Sequence, residues 1–269
     1  MVIHGSVFFR IFAKSNPKTQ TTMKNQLKHH WLFGLISLVA ISGCNGQTAN
    51  NAGLTQTEST PLTYILPSPK TDGTVSVEKA LANRRSHRHF LDKALSAEQL
   101  SQILWSAYGV TYPRPDRPNL RGGLRTAPSA GARYPFEIYV IVGNVEGIEP
   151  GVYRYISEKH KIVRTIDKDV RGELAVAALG QFMVKDAPAT VFYSAIFSRM
   201  TERYGDRGRE RYVAMDLGHS AQNIYLQAEA LGLGTCAIGA FTDSEVSRIL
   251  QLPAEEEPLY MMPVGYYQR

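Results

Sequence analysis

Downstream of residue 74 the hydrophobic pattern switches repeatedly between a helical and a strand-like period. Residues 75–83 and 97–108 each line up an apolar helical face. Ser96 and Gln99 stand at capping-box spacing, and Gly109 suits a C′ position. A Pro/Gly/Arg-rich loop follows over 110–135, longer than a plain connection needs. Residues 136–142 predict a buried strand, and 152–156 with 161–166 predict a hairpin around Ser157-Glu-Lys-His. A helix over 169–179, a strand over 189–197, a long helix over 210–231, a strand over 235–241, a helix over 244–250 and a strand over 259–264 complete the chain. Helices and strands mix without strict alternation, which is an α+β pattern.

The long helix is the unusual element. Between Tyr212 and Leu231 its only formal charges are Asp216 and Glu229. Val213, Leu217, Ala221, Ile224, Ala228 and Leu231 form one stripe; Asp216, His219, Asn223 and Gln227 form a second beside it. A helix so apolar on all sides is central or buried in a dimer interface, and its polar stripe reads as interior hydrogen bonds.

The formal charge of +6 suggests nucleic acid until it is located. Residues 1–44 carry five basic side chains and no acid, leaving 25 Lys/Arg against 24 Asp/Glu in the rest. Nucleic acid is therefore not an expected partner. Lys24 and Lys28 precede an eleven-residue apolar run, 31–41, too short to span a bilayer but suited to a secretory signal. The run ends at Ile41-Ser42-Gly43-Cys44, which resembles a bacterial lipobox. That resemblance implies Sec export and a lipidated Cys44, with the membrane touched only through the anchor on the periplasmic side of the cell envelope. Asn45 favours the outer membrane. On this reading residues 1–22 are an upstream over-read, 23–43 a lipoprotein signal peptide, 44–73 a flexible tether and 74–269 the folded domain. With Cys44 lipidated, Cys236 has no disulfide partner; it sits in an apolar stretch as a packed thiol. No metal cluster is expected.

Chemistry concentrates in a few segments. Asn83-Arg84-Arg85-Ser86-His87-Arg88-His89-Phe90 can offer forked donors and a hydroxyl to a phosphate, or be a solvated basic run. Thr126-Ala-Pro-Ser-Ala-Gly-Ala-Arg-Tyr-Pro135 and Ala237-Ile-Gly-Ala240 expose backbone amides on small residues. No GxGxxG, P-loop or GxSxG pattern is present.

Together, the RRSxRxF segment, PSAGARYPFEIYV, RYGDRG, the GHSAQN helix and GLGT…IGAF…PLYMMPVG resemble the nitroreductase family, within it the SagB/ThcOx-type dehydrogenases. The resemblance covers residues 75–265 or so. It implies a nitroreductase-like α+β fold, a central mixed or antiparallel sheet flanked by helices, and a homodimer with FMN at the subunit interface. It also implies hydride transfer at the flavin N5, with a small molecule or a modified peptide as substrate. Arg84, Arg85, Ser86 and Arg88 match the family's FMN phosphate and ribityl binders. Pro128, Ser129, Ala130 and Gly131 match the partner subunit's flavin-touching loop, and Gly239 and Ala240 match the backbone facing N5. Tyr204 matches the tyrosine of a Lys-Tyr pair associated with azoline oxidation, where it is a candidate proton donor or acceptor; here the pair is Arg203-Tyr204. Arginine stays protonated and cannot replace lysine as a base. Two other readings stay open, an NAD(P)H-dependent nitro- or quinone reductase and a non-catalytic flavin- or peptide-binding module.

Overall fold

The computed structural model describes residues 61–268; the expected signal segment, Cys44 and residues 45–60 of the expected tether lie outside them. The chain runs β1 (Thr63–Ile65), α1 (Val77–Asn83), α2 (Ala97–Tyr108), β2 (Val110–Pro113), β3 (Gly123–Arg125), β4 (Phe136–Val142), β5 (Gly151–Ile156) and β6 (Lys161–Ile166). It continues through α3 (Arg171–Ala177), α4 (Met183–Asp186), β7 (Ala189–Ala195), α5 (Ser198–Tyr204), a π-helical turn (Gly208–Tyr212), α6 (Val213–Ala230), β8 (Gly234–Thr235), α7 (Asp243–Leu250) and β9 (Glu257–Gly265).

Seven strands form one sheet in the order β1-β6-β5-β4-β7-β9-β8, with every neighbouring pair antiparallel. Strand β4 is central because both of its faces are apolar. Phe136, Ile138, Val140 and Val142 enter a core covered by α2 and α6, while Tyr139 and Ile141 enter a second core under α3, α4 and α7. This is the α+β architecture expected, helices flanking an antiparallel sheet.

Local chemistry sets several boundaries as expected. The Ser96 hydroxyl accepts from Gln99 N at 3.2 Å while the Gln99 amide accepts from Ser96 N at 3.0 Å, so both halves of the capping box are made. Other expectations need correction. Gly109 ends α2 in extended backbone at φ −64, not in the left-handed C′ form; glycine is needed because a Cβ would lie 2.2 Å from the Trp105 ring. The folded part begins before residue 74, since β1 pairs Thr63–Ile65 with β6. The strand expected over 235–241 stops at Thr235, because Ala237 N donates to the Tyr225 hydroxyl at 2.9 Å and only Ile238 rejoins β9, through Met261. The long loop holds the hairpin β2–β3, braced by the buried Arg125 guanidinium 4.6 Å from the Tyr108 ring centre and 5.1 Å from that of Tyr134. Cys236 is buried as expected, and burial pushes its thiol up to about 11 against the opposing charge of Arg88.

Candidate functional site

The structure gathers the expected site residues into two groups at opposite ends of α6. The first forms where the segment after α1 runs beside β8. Ser86 bridges Thr235 in parallel, and His87 N donates to Thr235 O at 2.9 Å. Gly234 makes this approach possible, since a Cβ there would lie 2.7 Å from His87 Cβ. His87 then stacks on Tyr267 with ring centres 3.6 Å apart, and burial lowers its pKa against the pull of Glu229. The Ser86 hydroxyl meets the Tyr225 hydroxyl at 3.0 Å, and the Arg84 guanidinium lies 5.2 Å from the Tyr225 ring centre. Tyr225 thereby ties Arg84 and Ser86 to Ala237, two residues before Gly239. Gly239 and Ala240 are exposed; a Cβ on Gly239 would approach the Tyr260 ring to 3.3 Å, and the Ala240 carbonyl accepts from Gln181 at 2.9 Å.

Arg85 turns back and donates to the carbonyls of Ala82 and Arg84, closing the end of α1. Arg88 is exposed on the Cys236 side. Among the described residues, Arg84, Arg85 and Arg88 make no ion pair with a carboxylate. Arg84, held with the exposed Ser86 by Tyr225, and the exposed Arg88 have no acidic partner among the described residues, which leaves donors for an anion. With exposed backbone at Gly239 and Ala240 nearby, the cradle suits a flat phosphorylated cofactor.

The second group contains Pro128, Ser129, Ala130, Gly131 and Tyr204. Asp216, buried near the start of α6, accepts from Ala130 N at 3.1 Å. Burial raises the Asp216 pKa, with the Ser129 hydroxyl, the Ala130 amide and His219 opposing it. The loop carries left-handed backbone at Gly131, Ala132 and Tyr134, the last two being residues that rarely accept it. At Gly131 a Cβ would lie 2.5 Å from the Tyr204 hydroxyl, so glycine lets that hydroxyl reach the loop. The Tyr204 ring meets Tyr212 edge-on at 4.9 Å.

The two groups gather around separate stretches of α6. Asp216 and Tyr225 are nine residues apart, about 13 Å along a helix rising ~1.5 Å per residue. The exposed residues of α6 gather at its Asp216 end, Ala214, Gly218 and His219 with Met215 at 56%, while 220–225 are buried or half-buried. The polar stripe is satisfied at three positions: Asp216 as above, Asn223 donating to Thr126 O, and Gln227 accepting from Gln102; His219 is exposed. A separate cavity of about 670 Å³ lies between residues 68–77, α1, α2 and α6, with Trp105 and Leu226 in its wall.

A family model described as the nitroreductase family matches residues 81–266. The chain belongs to the nitroreductase family. Among relatives, a Methanocaldococcus jannaschii protein named as a nitroreductase is 49% identical over 191 residues, covering 71% of this chain and 91% of its own. The trifolitoxin-processing protein TfxB of Rhizobium leguminosarum is 31% identical over 132 residues, 48% of this chain and 35% of that one. A crystal structure from Ralstonia eutropha, also named as a nitroreductase, aligns with a TM-score of 0.64 at 30% identity, over 77% of this chain and 90% of its own. The fold and the oxidoreductase class of this nitroreductase-family chain agree with these likenesses, and flavin is the family's cofactor.

Sequence reading did not single out Tyr225 or Tyr260. Both are aromatics in apolar runs, with no local pattern to separate them from core residues. Asp216 stood out only as a charge inside an apolar helix.

Proposed function

We propose that this nitroreductase-family chain is an FMN-dependent oxidoreductase of the SagB dehydrogenase type, acting as a homodimer with sites shared between subunits. The observation that carries the proposal is the unpaired arginine group around Ser86, joined through Tyr225 to the Ala237–Ala240 backbone. Arg84, Arg88 and Ser86 would hold the phosphate, and Gly239 and Ala240 would offer backbone to the ring edge. When bound, FMN supplies hydride transfer at its N5.

The residues of the second group act from the other subunit. A two-fold axis across the exposed face of α6 brings the Asp216 end of one helix to the Tyr225 end of its partner. The loop Pro128–Ser129–Ala130–Gly131, fixed by Asp216, then closes over the cradle of the other copy and excludes water. Tyr204, with its hydroxyl against Gly131, is positioned to hold or pass a proton at that oxygen. An arginine stands at 203 where a lysine would, and azole formation is not part of the proposal. The substrate class is a small molecule or a modified peptide, the latter favoured by the likeness to the trifolitoxin-processing protein. We further propose a signal peptide over 23–43, lipidation at Cys44 and a cell-envelope location, supported by the apolar run and its Ser-Gly-Cys end.

A second reading, an NAD(P)H-driven nitro- or quinone reductase, is favoured by the name of the Methanocaldococcus jannaschii relative. The visible spectrum of the purified chain, before and after NADPH without oxygen, separates the two. The expected result is a flavin spectrum that NADPH leaves unbleached, since no NAD(P)H pool reaches an exported enzyme. Fast bleaching would support the reductase instead. A chain that stays colourless after incubation with FMN would overturn the flavoenzyme reading.

A further inference from the structure

We infer that the Tyr225 hydroxyl commits Ser86 to act as a hydrogen-bond donor, making Tyr225 a positioning residue for the anionic end of the cofactor. The inference rests on the proposed placement of the FMN phosphate at Arg84 and Ser86.

The direction of the hydrogen bonds follows from one group that has no choice. A backbone N–H can only donate, and Ala237 N lies 2.9 Å from the Tyr225 oxygen. That bond takes one lone pair of the phenol and leaves the phenolic proton to find a partner elsewhere. The phenolic proton then points to its other neighbour, the Ser86 oxygen at 3.0 Å. A phenol is also a better donor than an aliphatic alcohol, so both arguments give the same direction. Ser86 accepts, and its own proton is left unspent. Its side chain is exposed and has no other hydrogen-bond partner among the described residues. The relay runs from Ala237 N–H through Tyr225 to Ser86 and ends in an outward donor, each bond polarising the next.

The ring serves the same end. It carries the Arg84 guanidinium 5.2 Å from its centre, keeping a cation beside the outward hydroxyl. One side chain on α6 therefore sets both the charge and the proton direction at the phosphate end. It also pins the start of the Ala237–Ala240 segment. A tyrosine that only filled space would need neither bond, and its loss would weaken every ligand of the cradle alike.

Riboflavin, which lacks the phosphate, separates these roles. The full chain stripped of flavin is titrated with FMN and with riboflavin by fluorescence quenching, alongside Tyr225→Phe, Ser86→Ala and the double variant. The expected result is that Tyr225→Phe weakens FMN about tenfold more than it weakens riboflavin, the scale of one hydrogen bond to a charged group, because riboflavin feels only the loss of the Ala237 bond. The double variant should lose no more of the preference for FMN over riboflavin than Ser86→Ala alone, because Tyr225 reaches the phosphate through Ser86. Equal weakening of both ligands, or an unchanged FMN affinity, would overturn the inference. A wild-type chain that binds riboflavin as tightly as FMN would overturn the phosphate placement beneath it. Should Tyr225→Phe not fold, 3-fluorotyrosine at position 225 carries the test. Its more acidic phenol should raise the preference for FMN, and a lowered preference counts against the relay.

Discussion

Replacing Arg84 and Arg88 together by alanine is expected to leave a folded chain that purifies without flavin. Both side chains are outside the hydrophobic cores and neither is paired with a carboxylate among the described residues. Their removal therefore costs the fold little. Toward a phosphate, each charge-assisted bond contributes about 1.5–3 kcal/mol, so losing two weakens FMN binding by roughly two to four powers of ten. Flavin content after gel filtration, with a fluorescence titration of the apo chain, gives the reading. A double variant that keeps full FMN would remove these arginines from the cofactor site. Arg85→Ala is the contrasting case: its guanidinium already serves the carbonyls that end α1, so a smaller loss is expected.

The second large effect is on stability. Glu137 in β4 is only 4% exposed and receives Arg121 at 2.7 Å, Arg154 at 2.7 Å and Arg199 at 2.6 Å. Burial alone would raise its pKa; the three guanidiniums outweigh burial and hold it below the usual carboxylate value. Glu137→Ala leaves three cations facing one another without their anion, at a cost of about 3–5 kcal/mol. For a domain of this size that lowers Tm by roughly 6–20 °C, measurable by calorimetry. The pH dependence has a definite sign. A depressed native pKa means this contribution is complete above the unfolded-state value, about 4.3, and fades as pH falls below it. The wild type should therefore lose stability on acidification through that range, and Glu137→Gln should lose less. Equal acid sensitivity in the two would place the titration elsewhere. Arg199 belongs to α5, and Arg121 also donates to Tyr134 O in the small-residue loop 126–135, so the same carboxylate braces the second group of candidate residues.

What could be read from the sequence was what short-range chemistry decides. The capping box of α2 and the largely apolar run of β4 each state their role within a dozen residues. Strand β1 could not be read, because three residues give one alternation and its reason for existing is β6, nearly a hundred residues later. The Glu137 cluster was hidden for the same reason: its arginines come from a loop, a strand and a helix that only the fold assembles. Its one local trace was a carboxylate inside a buried strand. Tyr225 left even less, one aromatic among apolar neighbours, yet it joins three segments. The early end of β8 is also non-local, since it depends on where the Tyr225 hydroxyl lies.

The placement of two half-sites at opposite ends of α6 has a genetic consequence. Under the shared-site proposal, a subunit lacking Arg84 and Arg88 keeps an intact loop, while one carrying Gly131→Val, forced against the Tyr204 hydroxyl, keeps intact arginines. Neither homodimer should retain flavin. Unfolded together and refolded, the two should form hybrids in which one site inherits both lesions and the other inherits none. Random pairing makes half the dimers hybrid, so complementation should restore about a quarter of the wild-type flavin content. Two defective alleles would then rescue each other in one cell.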